Sequence, residues 1–514
     1  MLTLLAAVVG LAAGGAAWVL LRLIGLITNV ALFHQFGWQS PSFTQLHRSP
    51  SVIVAAVIGG LLVSLLAMWS PVIRGHGIPE AMEAVLTKES RIKPRTAIAK
   101  PLSAAISIGT GGPFGAEGPI IVTGGAIGSL LGQLLPVTAS ERKILLACGA
   151  AAGMSATFGT PLAAVVLAIE LLLFEFSTRA FIPLVVASAV AGGVHAGIFG
   201  SGAFFVVPEH RFSGLPTLPA FAVLGLAAGV LAVVVVKGLF LVEEGYRRLP
   251  VGEFWHPIVG AAAFASVGLI APRALGVGYD AITDVLSNRL ALGTLAVLAL
   301  IKLLAWWLAL ASGTSGGTLA PMLLISAGFG SLFGSAANHL FPNIGVSEGA
   351  FALVAMAAVF GAATRAPFAS ILFVFELTGD YKSILPLMVA TVIADLVAET
   401  FLEDSIMTEK LSRRGLRVHS QLEVDALRTV PVRDVMTPTE PVLHDGGVSV
   451  AADDAAIAAL ECMLEEGLDA LPVVDGEMLV GLCTPATIIR ARAERFAHER
   501  VQPGWLTRAL KRSI

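Results

Sequence analysis

The sequence predicts an all-α polytopic membrane protein, built as two duplicated halves with broken helices and followed by a small α/β segment. Three observations carry this. The chain of 514 residues is 56% hydrophobic and only 13% charged, with a mean hydropathy of +0.83, whereas a soluble domain carries about 25% charged residues. Apolar runs recur at Leu4–Leu21, Val52–Met68, Phe221–Val236 and Leu290–Ala311, each long enough to cross a bilayer. Motifs of the first half return in the second, and from about Leu416 the composition turns charged and alternating.

The remaining composition narrows the classes. A net charge of −3 gives no reason to expect a nucleic-acid partner. Cys148, Cys462 and Cys483 form neither a disulfide framework nor a CxxC or Cys/His cluster, so no metal or other cofactor is expected. No HExxH, Gly-x-Ser-x-Gly or paired-Asp constellation occurs in the apolar part, which argues against an enzyme.

In chain order, Met1–Leu21 lacks a basic n-region and reads as the first membrane helix rather than a signal peptide. Gln35–Ser51 is a polar connection, and a second helix runs to about Val72. Arg74–Glu80 is a glycine loop feeding a short helix that opens at Pro79. The basic loop Lys88–Arg95 and the stretch Arg413–Arg417 should be cytoplasmic, which makes this a multi-pass cell-membrane protein with a cytoplasmic tail. Ser140–Leu172 is a long apolar region broken at Gly159-Thr160-Pro161, and Phe199–Leu218 divides the halves.

The duplication is explicit. Glu117-Gly118-Pro119-Ile120 through Gly132 matches Leu319-Ala320-Pro321-Met322 through Gly334 at an offset of 202, and Pro161 through Leu171 matches Pro367 through Leu377 at 206. Duplicated halves with broken helices mark a transport fold whose site lies between half-helix ends near the midplane. Three loops, Gly75–Pro79, Gly109–Pro119 and Ser312–Pro321, are glycine-rich, end in proline and open a helix. Helix N-termini converging on one point favour an anion. Glu117, alone in an apolar setting, would compete for that place; the bland alternative is a turn whose Glu pairs with a neighbouring Lys or Arg. A coupled carrier of an organic solute would need larger polar groups than these loops offer.

Gly75-His76-Gly77-Ile78-Pro79-Glu80, Gly115-Ala116-Glu117-Gly118-Pro119, Gly316-Gly317-Thr318-Leu319-Ala320-Pro321 and Phe375–Tyr381 occur in this order, and together they resemble the CLC family of chloride channels and proton/chloride antiporters. The resemblance covers roughly Val52–Gly415. It implies an inverted repeat within 1–415 (halves about 1–200 and 215–415), a homodimer in the lipid bilayer, and one pathway per subunit for chloride or a similar anion. It also implies that Glu117 is the gate, with His76, Gly77, Ile78, Gly115, Gly118, Thr318, Leu319 and Met407 about the anion. Departures from the family pattern fall on these positions. His76 replaces a serine, Leu319 a phenylalanine, Met407 the inner-gate tyrosine, and Ala116 the Lys or Arg that precedes the gate. Leu171 stands where family antiporters carry a proton-relay glutamate. Weak or absent proton coupling is therefore expected, with Glu170 either a substitute relay or a helix-end carboxylate like its repeat mate Glu376.

Val432–Met436, Asp454–Glu466, Ala470–Asp475, Leu479–Cys483 and Ala486–Arg495 predict a β-α-β-β-α order. This resembles one CBS motif at 428–496, followed by a tail at 497–514. Thr487 takes the place of the ribose-binding Asp after Thr484, so docking or dimerisation is expected here rather than adenine-nucleotide binding.

Overall fold

The computed structural model describes residues 1–414 apart from 175, 207, 209 and 213, and residues 430–490 apart from 445 and 477. The chain forms two compact units, Met1–Ser420 and Gln421–Ile514.

In the first unit, the first half runs α1 (Leu2–Leu32), α2 (Pro50–Trp69), α3 (Ile78–Thr87), α4 (Pro94–Gly109), α5 (Glu117–Leu134), α6 (Ala139–Phe158), α7 (Pro161–Ala168) and α8 (Thr178–Phe199). The second half repeats it as α9 (Leu218–Arg247), α10 (His256–Gly268), α11 (Tyr279–Leu286), α12 (Leu292–Ala311), α13 (Leu319–Leu340), α14 (Glu348–Thr364), α15 (Pro367–Thr378) and α16 (Ile384–Phe401), and α17 (Glu409–Ser412) follows. Among the described residues, seven spans are long and apolar enough to cross a membrane. This is a multi-pass membrane protein.

Helix α1 runs eleven residues past the expected Leu21, because its polar residues are satisfied within it. Arg22 lies over the Trp18 ring at 5.8 Å. Thr28 and Asn29 donate back to the carbonyls of Ile24 (2.8 Å) and Gly25 (2.9 Å). The expected break after α6 is present. Gly159 closes α6 at φ +66° before Pro161 restarts the chain as α7, and Arg365 does the same at φ +59° between α14 and α15.

The halves also pack alike. Helix α5 lies on α6 as α13 lies on α14, and α1 lies on α8 as α9 lies on α16. Small residues permit the closest of these approaches, since a Cβ at Gly330 would come within 2.5 Å of the Phe351 carbonyl. Such stripes replace the hydrophobic driving force that lipid removes. The halves meet through α2 on α10 and α7 on α15.

The second unit holds β1 (Thr437–Leu443), β2 (Val450–Ala451), α18 (Ala456–Glu466), β3 (Leu471–Asp475) and β4 (Met478–Cys483), in sheet order β1-β4-β3-β2. Ala456, Ala459, Met463, Leu471, Val473, Cys483 and Ile488 form its core. One expected strand is corrected: Val432–Asp434 is a 3-10 turn. Its backbone is claimed elsewhere, with the Val432 N–H donating to the Asp454 carbonyl at 2.7 Å. The first strand comes later, at Thr437, and every residue of it is exposed, so no apolar alternation marked it. Residues 485–490 are helical; the rest of the expected Ala486–Arg495 helix and the 497–514 tail lie outside the described residues.

Candidate functional site

The three glycine loops meet, and a fourth joins them. Gly75 pairs with Ser315 as a parallel bridge. The N–H of Gly115 donates to the Gly317 carbonyl at 3.2 Å, and the Gly317 N–H returns the bond at 2.8 Å. The fourth loop, Gly276-Val277-Gly278, is the repeat mate of Gly75-His76-Gly77, and its Gly276 N–H donates to the Gly111 carbonyl at 3.1 Å. Gly77 (φ +98°) and Gly278 (φ +88°) are the residues just before α3 and α11. A side chain is strained at these angles, and at Gly77 a Cβ would also lie 2.7 Å from the Gly118 carbonyl.

Two buried lysines hold the loops in shape, and they too are repeat mates. Lys100 on α4 donates to the carbonyls of Ile73 and Gly75, both at 2.8 Å. Lys302 on α12 donates to those of Gly276 (2.7 Å) and Val277 (3.3 Å). Both are completely buried. A charge in an apolar helix is a visible sequence signal, and Lys302 stands inside the apolar run Leu290–Ala311.

Glu117 opens α5 at this junction and is 1% exposed. The Tyr279 hydroxyl donates to its Oε1 at 3.1 Å. Its Oε2 has no hydrogen-bond partner among the described residues. The amide of Ala320 and the ammonium of Lys302 are further electrostatic neighbours. With Ala116 in place of a Lys or Arg, the basic neighbour within electrostatic reach comes from α12 instead of the adjoining residue. No Lys or Arg forms an ion pair with Glu117 among the described salt bridges. The carboxylate occupies a place lined by amide dipoles and glycines, where such dipoles favour negative charge.

The other expected site residues spread around this point. Gly77, Ile78, Gly115, Gly118, Thr318 and Leu319 are buried at the starts of α3, α5 and α13. The amide of Ala320, one residue beyond Leu319, acts on the Glu117 carboxylate together with the amide of Glu117 itself. His76 is 2% exposed and its Nδ1 has no partner among the described residues. Its neighbours are the Ile406 backbone, Lys410 and Lys100. Met407, fully buried, follows Ile406 directly.

Glu170 lies on a single π turn, Ile169–Leu173. Its Oε2 accepts from the Ala369 N–H at 2.9 Å, at the start of α15. Glu376 does the converse for α7, accepting from the N–H groups of Leu162 (3.0 Å) and Ala163 (2.7 Å). Each half thus caps a helix of the other, which supports the helix-end reading of Glu170.

A cavity of about 670 Å³ approaches the Gly75 loop, lined among the described residues by Arg74, Lys88, Arg247, Lys410, Arg413 and Arg414 against four carboxylates. Such an excess of cations draws anions toward a mouth.

Duplicated broken helices around an amide-lined carboxylate define a class of membrane transport fold. The family model for the voltage gated chloride channel matches residues 59–399, and the chain belongs to this family. A CBS domain model matches residues 432–494. An H(+)/Cl(-) exchange transporter ClcA of Vibrio campbellii is 30% identical over 375 residues, 71% of this chain and 80% of that one. A putative chloride channel protein ClcB-like of Ralstonia nicotianae is 29% identical over 370 residues, 70% of this chain and 85% of that one. Among solved structures, a slow cyanobacterial Cl-/H+ antiporter superposes with TM-score 0.71 at 28% identity, over 82% of this chain and 99% of that chain. A CLC-type fluoride/proton antiporter shares the fold, with TM-score 0.65 at 22% identity over 78% of this chain and 95% of that chain.

Proposed function

We propose that this protein transports chloride or a similar small anion across the cell membrane, through a pathway gated by Glu117 and with weak or absent proton coupling. The observation that carries this is the Glu117 carboxylate at the junction of the glycine loops, one oxygen held by Tyr279 and the other unpaired. It is a tethered anion in a place suited to a free one. His76, Gly77, Ile78, Gly115, Gly118, Thr318, Leu319 and Met407 make up the anion's surroundings. Leu171, buried and without a titratable atom, supports the weak coupling. The basic Lys88–Arg95 loop and Lys410–Arg414 set the wider cavity on the cytoplasmic side.

A second reading, proton/anion exchange by an unusual relay, is favoured by the exchangers among the relatives. Fluoride or nitrate as the preferred anion follows the same geometry, because backbone amides bind any of them. The protein is a transporter, not an enzyme, in this reading. Its partly buried Glu170 and Glu376, near the exposed Leu162 and Phe368, fit a homodimer better than a lipid-facing surface, where carboxylates are costly. In the CBS-like unit, Thr484 and Thr487 serve each other. The Thr487 N–H donates to Thr484 Oγ1 at 3.2 Å, and the Thr484 N–H donates to Thr487 Oγ1 at 3.1 Å. With no carboxylate there for a ribose, docking is the better role than nucleotide binding.

Liposomes loaded with chloride and given a potassium ionophore test these readings together. Chloride efflux without stoichiometric proton movement is the expected result. Proton flux locked to chloride flux supports exchange, and no chloride efflux rejects the proposal.

A further inference from the structure

We infer that Tyr279 is an anion ligand of the outer position, the place that the Glu117 carboxylate fills in this structure; this rests on the gate reading of Glu117. Tyr279 is the first residue of α11 and the repeat mate of Ile78. Its ring is fully held by neighbours, edge-on to Phe158 (5.9 Å), Phe204 (5.0 Å) and Phe205 (6.4 Å). The hydroxyl is thereby fixed in position, and its one hydrogen bond among the described residues goes to Glu117 Oε1 at 3.1 Å. A phenol proton aimed at a carboxylate oxygen presents the same donor to a halide when the carboxylate leaves.

The surroundings agree with this role. The family hydroxyls expected at the inner positions are replaced here by His76 and Met407, so Tyr279 supplies a side-chain hydroxyl from the other repeat. A cavity of about 230 Å³ includes Tyr279 in its wall, with Thr28, Ser42, Gly276, Gly278 and Asp280. Asp280, the carboxylate there, is already engaged by the Ser42 hydroxyl at 2.7 Å and by Arg273 at 3.8 Å. Lys302, which holds the same loop through the Gly276 and Val277 carbonyls, lies within electrostatic reach of Glu117.

The test is calorimetric titration of the full-length detergent-solubilised protein with chloride at neutral pH. Glu117→Ala should expose the position and add or strengthen chloride binding relative to wild type. Adding Tyr279→Phe, which keeps the ring and its aromatic contacts, should then weaken chloride binding about ten-fold, as expected for one hydrogen bond to an ion. Phe204→Leu in the Glu117→Ala background disturbs the packing but not the donor, and should leave the affinity unchanged. If Tyr279→Phe has no effect, or Phe204→Leu weakens binding equally, the assignment falls while the gate stands. If Glu117→Ala itself creates no chloride site, the gate reading falls and takes the assignment with it.

Discussion

At the scale of single residues, Glu117 is the proposed gate of the pathway. An ionised carboxylate and an anion of the same sign repel by about 4 kcal/mol at ~4 Å and an effective dielectric of about 20. Glu117→Gln keeps the shape and removes the charge, so chloride flux at neutral pH should rise at least about ten-fold and lose its pH dependence. In wild type the sign should be the same: lowering pH should protonate Glu117 and raise flux. A flux assay across pH 4–8 on both proteins checks the pair, and a silent but folded Glu117→Gln would sink the gate. The lysines make a separate prediction. Lys302→Met leaves the Gly276 and Val277 carbonyls without their donor, which should cost on the order of 2–4 kcal/mol, read as a lower melting temperature in detergent. What could be read from sequence at this scale followed the motif. Glu117 stood out because a charge between glycines and prolines breaks an apolar background. Tyr279 did not, because a lone tyrosine 162 positions away from Glu117 carries no local sign of the contact.

At the scale of elements, the paired caps are the clearest test of roles. If Glu170 and Glu376 only cap α15 and α7, Glu170→Gln and Glu376→Gln should each lower stability by about 1 kcal/mol and leave coupling alike. Thermal unfolding paired with proton-flux measurement separates the possibilities, because a loss of proton movement in Glu170→Gln alone would make it a relay. The helix breaks were legible as Gly or Pro clusters, and the duplication as repeated motifs with fixed offsets. The fourth loop went unread because Gly276-Val277-Gly278 carries no proline, so its kinship with Gly75-His76-Gly77 emerges only from α11 lying where α3 does in the other half. The turn at Val432 was missed for a different reason. A buried apolar residue looks the same in a strand and in a 3-10 turn until its backbone partner, Asp454, is known.

At the scale of the whole molecule, the transport unit and the CBS-like unit are distinct compact bodies, and all four glycine loops belong to the first. Truncation after Leu416 should therefore leave chloride flux per folded protein within about two-fold of wild type, measured in liposomes after confirming the oligomeric state. A truncated protein that elutes normally and does not conduct would give the tail a part in permeation.

The hydrogen bonds also carry a timetable. A chain enters the membrane from its N-terminus during synthesis. The acceptors of Lys100 lie 25 and 27 residues earlier in the chain, and those of Lys302 lie 25 and 26 residues earlier. Each ammonium thus meets carbonyls that have already left the ribosome, and α4 and α12 can enter lipid without an orphaned charge. The carboxylates have no such partners at hand. Glu170 waits 199 residues for Ala369, and Glu117 waits 162 for Tyr279. The nascent first half can therefore bury Lys100 on schedule, while Glu117 and Glu170 wait for their side-chain and helix-end partners until the second half arrives, so the protein's two halves are born in sequence but mature only together.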